Sequence, residues 1–418
     1  MSERPDYVYA SATAPALDRP LPRPGTPIER AVGRTYPAVA SRVSLDVLVQ
    51  IVGLFVVWRT AIMAISVAWG RLPVVTQWPA EIDVMWLWRY SVRWDSGWYL
   101  TIANNGYQYD PQAASSVAFF PLFPLLIRAF DAVLPGSDVL AALIVVHLAL
   151  FGALLYIYKL LRIDYGNRMA MRTIYFLLIF PGAFFLTAVY NESLLLFTIA
   201  GALYHARRGQ WLLAGLFGIG ASATKLVGVM LIVPLAVELA SQRGSSWRNI
   251  KPGAWIAIAP LGTLAYFGYL QAKFDSFRVF FDTEGHWHRD AFTPVLFMGI
   301  ERLMGVTDAL SYYPANTTPL RSAFLIIDTT LLWIFLISGV ILWVKHRPTY
   351  GALVIAFAMV PALSGSPQSL NRYLAVLFPA FLLLAQIRSE AMRHALTFAF
   401  VVGMTFTTYL FVNGYWAG

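Results

Sequence analysis

Residues 139–158, VLAALIVVHLALFGALLYIY, run for twenty positions without one Asp, Glu, Lys or Arg. Coiled as a helix, twenty residues rise about 30 Å, the thickness of a bilayer's hydrocarbon core. Similar runs recur along the chain. Only 13% of its 418 residues are charged and 58% are hydrophobic, and the mean hydropathy is +0.61. A soluble domain carries about 25% charged residues, so this chain has too little polar surface to cover a water-facing ball. It reads as an all-α polytopic membrane protein.

The formal net charge is +9. In a soluble protein that excess would suggest nucleic acid as a partner. In a membrane protein it marks cytoplasmic loops, which collect Lys and Arg, so no nucleic acid is expected. There is no cysteine, which excludes disulfides, thiolate metal sites and a cysteine nucleophile. Residues 1–45, with Arg4, Arg19, Arg23, Arg30, Arg34 and Arg42 and no apolar core, read as a disordered cytoplasmic tail rather than a cleavable signal.

Loop charge sets the expected topology. The transmembrane domain is residues 46–418, with about eleven spans: near 46–70, 138–160, 169–189, 193–206, two within 211–240, 253–272, 322–344, 349–363, 373–388 and 394–413. The segments near 71–137 and 273–320 fall outside. Phe119–Val133 looks like a further span but holds Pro121, Pro124, Arg128 and Asp131. If it crossed, the basic stretch Lys159, Arg162, Arg168 and Arg172 would lie on the wrong side, so it is expected to lie along the outer interface. The protein is expected in the plasma membrane of a prokaryote, N-terminus inside.

The outer segment carries the densest chemistry: RWDSGWYL at 93–100, NNGYQYD at 104–110 and AFFPLFPLL at 118–126. On a helix Asp95 and Tyr99 share a face, and Trp94 and Trp98 form a neighbouring aromatic one. A carboxylate beside rings suits a general base whose pKa partial burial raises, next to a stacked sugar. An interfacial helix with an aromatic belt would look the same. Glu192, in VYNES, is either a second carboxylate or an acid complementing a helix N-terminus. Arg59 lies mid-span, where a charge is a functional candidate by default. A kink, snorkelling or a partner on another helix would also explain it. Arg372 in NRYL could pair with a phosphate or anchor the interface. His286, Trp287 and His288 make a poor metal set unless Asp282 and Glu284 join them.

These blocks in this order, followed by FPGAFFLTAVYNESLLLF (180–197), HARRGQWLLAGLFGIGASATKLVGVMLIVPLAVE (205–238) and NRYLAVLFPAFLLLA (371–385), resemble the PIG-V-like mannosyltransferase family. The resemblance spans roughly residues 50–390. It implies a GT-C-type helical bundle whose first outer loop carries interfacial helices and the catalytic acid. It also implies a polyprenyl-phosphate sugar donor, usually mannose, and inverting transfer on the non-cytoplasmic face. Asp95 matches the family's tryptophan-aspartate position. Lys225 stands where many relatives have Arg, which keeps the charge and loses a bidentate phosphate contact.

On that reading Asp95 is the base, and Lys225 and Arg372, with Arg59 behind them, hold the donor's phosphate. Trp94, Tyr99, Tyr107 and Glu192 shape the sugar and acceptor site. The acceptor is a lipid, a glycolipid or a glycan, with a protein left open. No cofactor or resident metal is expected, with a divalent ion left open. A lipid or solute transporter, or a GT-C transferase of another sugar, are the alternatives.

Overall fold

The long apolar runs become helices, and the breaks between them fall where the chain cannot continue one. The computed structural model describes residues 43–69, 90–134, 136–243, 250–287, 289, 294–303, 320–366, 369–415 and 417. The expected tail, Glu81, Asp83, His288 and most of 304–320 lie outside these residues.

Helix α1 (Leu45–Trp69) is a single span-length helix. Helices α2 (Asp95–Asn105) and α3 (Leu122–Asp131) follow, joined through a 3₁₀ turn at Ser116–Ala118. At ten residues α3 is about 15 Å long, too short to cross, in keeping with an interfacial position. Arg128 locks it to α2. Its guanidinium donates to the carbonyls of Ala103 (2.7 Å) and Ile102 (3.2 Å), supplying charge to the end of a helix that runs out of donors.

Helix α4 (Asp138–Ile179) runs for 42 residues. Ser137 caps its start by accepting from the Leu140 amide. The two spans expected near 138–160 and 169–189 fall on two helical parts of this stretch, divided at Gly166, whose φ of 80° and ψ of 174° are non-helical and open to glycine. The break lies inside the expected basic stretch, between Arg162 and Arg168. Across the bend Tyr158 donates to Asn167 at 2.8 Å. Pro181 then opens a 3₁₀ turn, Pro181–Leu186, before α5 (Glu192–Arg207).

Helix α6 (Trp211–Thr224) and α7 (Ile232–Arg243) are separated at Lys225 by an extended residue and a 3₁₀ turn, Leu226–Leu231. Then come α8 (Ile250–Ala257) and α9 (Leu261–Phe274), a pair bent by 41°. The small face of α6 lets α8 approach closely: a Cβ at Gly215 would come within 2.1 Å of the Trp255 carbonyl. Short helices α10 (Val279–Glu284) and α11 (Met298–Leu303) lie in the second segment expected outside, called the second outer segment below. The chain closes with α12 (Arg321–Lys345), α13 (Pro348–Ala362), α14 (Leu370–Ala375), α15 (Phe381–Ala385) and α16 (Glu390–Val412).

Among the described residues five helices are long and apolar enough to cross a membrane, or six with the bent pair. The other expected spans fall on shorter or broken helices, such as α5, α6, α13 and the interrupted α14–α15. Broken helices are tolerated at membrane depth where neighbouring protein satisfies the freed backbone groups. Outward faces are apolar, with Val49, Val56 and Val57 on α1, Ile334, Ile337 and Val344 on α12, and Phe398 and Val402 on α16 all exposed. In water such faces would be an aggregation hazard, whereas in lipid they are the solvated surface. The all-helical membrane architecture read from composition is borne out, and the protein is a multi-pass integral membrane protein.

A buried ionic lattice ties α4, α5, α7 and the α12–α13 turn. Arg347 contacts both oxygens of Glu238 at 3.0 Å and Asp164 at 3.4 Å. Arg207 pairs with Asp164 at 2.9 Å. Tyr350 donates to Asp164, and Thr349 and Gln242 donate to Glu238. Glu238 is 1% exposed, and its loss takes from the largely buried Arg347 guanidinium its two-oxygen partner and leaves only Asp164 at 3.4 Å. Glu238→Ala should lower stability by about 3–5 kcal/mol, read by unfolding of the purified protein in detergent. Glu238→Gln should lose less. An unchanged transition in the alanine variant would show the lattice to be energetically idle.

Candidate active site

The turn before α2 is pinned from several sides. The amide of Val189 donates to the Ser91 carbonyl at 2.9 Å, and the Tyr190 hydroxyl donates to that of Arg93 at 3.2 Å. The Arg93 guanidinium reaches the Val412 carbonyl at the end of α16. The Ser96 hydroxyl accepts from the Arg93 amide. Within this frame Trp94 adopts φ 49°, a left-handed value that costs a bulky residue on the order of 1–3 kcal/mol. The result is that Asp95 opens α2 with its side chain turned to Arg372.

Arg372 is the centre of the site. Ser369, also left-handed at φ 67°, starts the short helix that carries it. One terminal nitrogen lies 2.6 Å from Asp95 Oδ2. Its Nε lies 3.2 Å from Glu192 Oε1, close enough for charge attraction but off the line of a hydrogen bond. The guanidinium also sits 5.0 Å from the centre of the Tyr190 ring and 5.2 Å from that of Tyr373. Its side chain is 6% exposed and Glu192's 2%, against 19% for Asp95.

Lys225 completes the inner half. The break after α6 points its ammonium at Glu192 Oε1, 3.0 Å away, and over the Tyr373 ring at 3.9 Å. Asn191 holds that break by donating to the Thr224 carbonyl at 2.8 Å. Glu192 Oε2 has no hydrogen-bond partner. From the second outer segment Arg289 pairs with Glu284 at 3.2 Å and donates to the Tyr373 hydroxyl. Burial works against the Arg289 charge, but Tyr373 and Glu284 more than offset it, and its pKa is raised. The cluster therefore balances Asp95, Glu192 and Glu284 against Lys225, Arg289 and Arg372.

The structure brings together Asp95, Glu192, Lys225 and Arg372 as the sequence suggested. Glu192, however, is buried beneath two cations, where it can position them more readily than it can touch a sugar. Tyr99 is 4% exposed and packs edge-on against Phe119 and Phe123. Burial, reinforced by Glu192 and Asp95, pushes its phenol well above the ordinary range, so it stays protonated. Tyr107 is 8% exposed, donates to the Phe119 carbonyl and packs on Tyr266 and Tyr269. Burial raises its phenol too. Both rings build the wall of the outer segment. Trp94 is half-buried against the core.

Arg59 is not brought into the cluster. Its Nε donates to His147 Nε2 at 2.9 Å, between α1 and α4. Sequence reading missed Arg289, Glu284 as its partner, and Tyr373. The signals were adjacent: Tyr373 follows Arg372, and Glu284 and Arg289 bracket the histidine pair. Among the described residues no group of three or more His, Asp or Glu is placed to hold a metal.

Residues 39–241 match the family model described as mannosyltransferase (PIG-V). Across these residues, just under half of the chain, it is similar to that family. The PIG-V segment contains Asp95, Glu192 and Lys225, while Arg372, Tyr373 and Arg289 lie beyond it. The chain is 29% identical over 152 residues to GPI mannosyltransferase 2 of two strains of Cryptococcus neoformans var. neoformans serotype D. The aligned part covers 35% of this chain and 36% of each relative, so the chain spans about a third of the length of the curated relatives it matches. Among solved structures, ArnT from Cupriavidus metallidurans bound to undecaprenyl phosphate is 15% identical, with a TM-score of 0.48 over 84% of this chain and 63% of that one. The apo Archaeoglobus fulgidus oligosaccharyltransferase is also 15% identical, with a TM-score of 0.45 over 88% and 56%.

The shared cation makes a coupling test. Arg372→Ala leaves Asp95 and Glu192 without their common partner and should destabilise the protein by about 3–5 kcal/mol. Adding Glu192→Gln removes a buried charge that then has only Lys225 as partner, so the cost of the double change should be less than the sum of the two single ones. Strictly additive effects in a double-mutant cycle of thermal unfolding would mean that the two residues are not coupled.

Proposed function

We propose that this protein is a membrane glycosyltransferase that moves a mannosyl group from a polyprenyl-phosphate donor to a glycolipid or glycan acceptor. The observation that carries the reading is the juxtaposition of Asp95 with Arg372, Lys225 and Arg289. An accessible carboxylate stands beside a cluster of fixed cations, within a membrane protein similar over residues 39–241 to PIG-V mannosyltransferases.

The chemistry is a single displacement with inversion. The acceptor hydroxyl attacks the anomeric carbon as the bond from that carbon to the phosphate oxygen breaks. The proton passes to Asp95, and the lipid phosphate leaves with the electron pair. Only Oδ2 of Asp95 is engaged by Arg372, so Oδ1 is available to the hydroxyl. Arg372 and Lys225 stabilise the charge growing on the leaving group. Prealigned charge of this kind is often the largest catalytic term. A phosphate competes with Asp95 for Arg372, so donor binding loosens the base as it fills the cation site. No cofactor enters this reading. The reaction is placed on the non-cytoplasmic face of a prokaryotic plasma membrane, with the N-terminus inside.

Asp95→Asn keeps the shape and an acceptor for Arg372 but removes basicity. Transfer should fall by about 10²–10⁴-fold with donor binding retained. Asp110→Asn, whose carboxylate only accepts from the Gln112 amide in its own turn, should be tolerated. Near-normal transfer by Asp95→Asn would overturn the assignment. Lys225→Ala and Arg372→Ala should each weaken donor binding by roughly 2–5 kcal/mol, more than they weaken acceptor binding.

Sidedness can be read by cysteine labelling, since the chain has no cysteine. An impermeant maleimide should reach Gln112→Cys from outside and Arg243→Cys only after permeabilisation. The opposite pattern would move the site to the cytoplasmic face.

A further inference from the structure

The end of α5 far from Glu192 carries a second group of cations, and they are not all alike. Arg207 is paired with Asp164 in the ionic lattice, whose buried carboxylates, Asp164 and Glu238, are taken up by Arg207 and Arg347. The next residue, Arg208, is not drawn into the lattice. One terminal nitrogen donates to the Tyr204 hydroxyl at 2.9 Å, and its guanidinium lies 5.7 Å from the centre of that ring. Lys159 of α4 reaches the same ring at 6.0 Å and the Tyr156 ring at 5.9 Å. Both cations are partly exposed. Among the described residues neither has a carboxylate within ion-pair distance.

His205 fixes the rings beneath them. It stacks on Phe217 of α6 with ring centres 5.4 Å apart and planes 21° apart. Its two nitrogens meet the Tyr156 hydroxyl at 3.2 Å and the Gln210 amide oxygen at 2.7 Å. Phe217 in turn meets Tyr156 edge to face at 5.3 Å. Helices α4, α5 and α6 thus share one aromatic cluster, with the two cations standing on it. An exposed apolar surface borders the cluster. On α6, Leu213 lies one turn before Phe217 on the same face, and Leu212, Leu213 and Leu216 are all exposed. On α4, exposed Leu148 lies three turns before Lys159 on the same side of the helix, about 16 Å away along its axis.

We propose that Lys159 and Arg208 hold the phosphate of an anionic phospholipid whose acyl chains lie on the exposed leucines. A basic side chain at the end of a membrane helix keeps its stem on apolar surface and its head at the lipid headgroups. With the neighbouring carboxylates already engaged, the counter-charge has to come from outside the protein. A phosphate accepts a forked pair from Arg208 and a point contact from Lys159. Basic pockets between membrane helices are a recurring site for anionic headgroups, and the aromatic rings here hold the two cations side by side. A free anion would use the cations and leave the leucines idle, whereas a phospholipid uses both. The site lies at the opposite end of α5 from the Arg372 cluster and is independent of the glycosyltransferase reading.

The test titrates dioleoylphosphatidylglycerol and dioleoylphosphatidylcholine onto the full-length protein in detergent and counts bound lipids by native mass spectrometry. The first phosphatidylglycerol should bind about tenfold or more tightly than the first phosphatidylcholine. Lys159→Gln combined with Arg208→Gln should weaken phosphatidylglycerol by about 25-fold, roughly fivefold per cation, and leave phosphatidylcholine unchanged. Arg243→Gln removes an exposed cation at the end of α7 and should change neither. On the wild type, phosphatidylglycerol with a diazirine in its acyl chain should label residues within 148–156 or 212–217 on irradiation, a reading independent of any variant's folding. Equal affinity for the two lipids would overturn the proposal. So would an affinity unmoved by the double change, or one moved as far by Arg243→Gln. Labelling confined to other helices, or displacement of the lipid by an equal concentration of inorganic phosphate, would overturn it as well.

Discussion

The site depends on one guanidinium shared between two carboxylates. Arg372 is almost wholly removed from solvent, and taking a charge out of water costs several kcal/mol even after relaxation. Asp95 and Glu192 offset that cost, and each would be costly to hold so close without the cation between them. The dependence is mutual, so α2, α5 and α14 are fixed in one arrangement by a contact none of them can give up alone. The left-handed residues at Trp94 and Ser369 are tolerated because that contact over-determines the backbone around it. An apolar core would have been the simpler route to stability. Retaining six clustered charges, with Arg372 and Glu192 almost wholly buried, is consistent with a need for them in chemistry.

How much of this was legible in the sequence follows from where the information resides. The helices were legible because bilayer thickness imposes a length on apolar runs. Breaks at Lys225 and after Phe274 were legible because polar residues interrupt those runs. The shortness of the break between the two expected spans in α4 was not, since a single glycine, Gly166, makes it where a longer basic loop was expected. Asp95, Glu192, Lys225 and Arg372 could be nominated from motifs. Their meeting could not, because Asp95 and Arg372 are 277 residues apart.

Arg59 and Arg289 fail in opposite directions. An arginine in mid-span invites a functional role on cost alone, yet a histidine on the adjoining helix accepts its hydrogen bond. Nothing local distinguished the histidine's helix from any other. Arg289 lay in a segment whose histidines drew attention to metal binding, and its role is visible only once Tyr373 is placed against it. Tyr107 and Tyr99 sit in the most specific motif, but their rings proved to be walls. Motif membership located the neighbourhood without ranking the residues in it.

Helix α5 begins at Glu192, in the Arg372 cluster, and ends at Arg207, in the ionic lattice of α4 and α7. Its two ends are thus about 22 Å apart, and nearly every residue between them is buried. One apolar rod therefore carries a desolvated carboxylate at one end and a paired guanidinium at the other, so a shift along its axis would have to break ion pairs in both clusters at once.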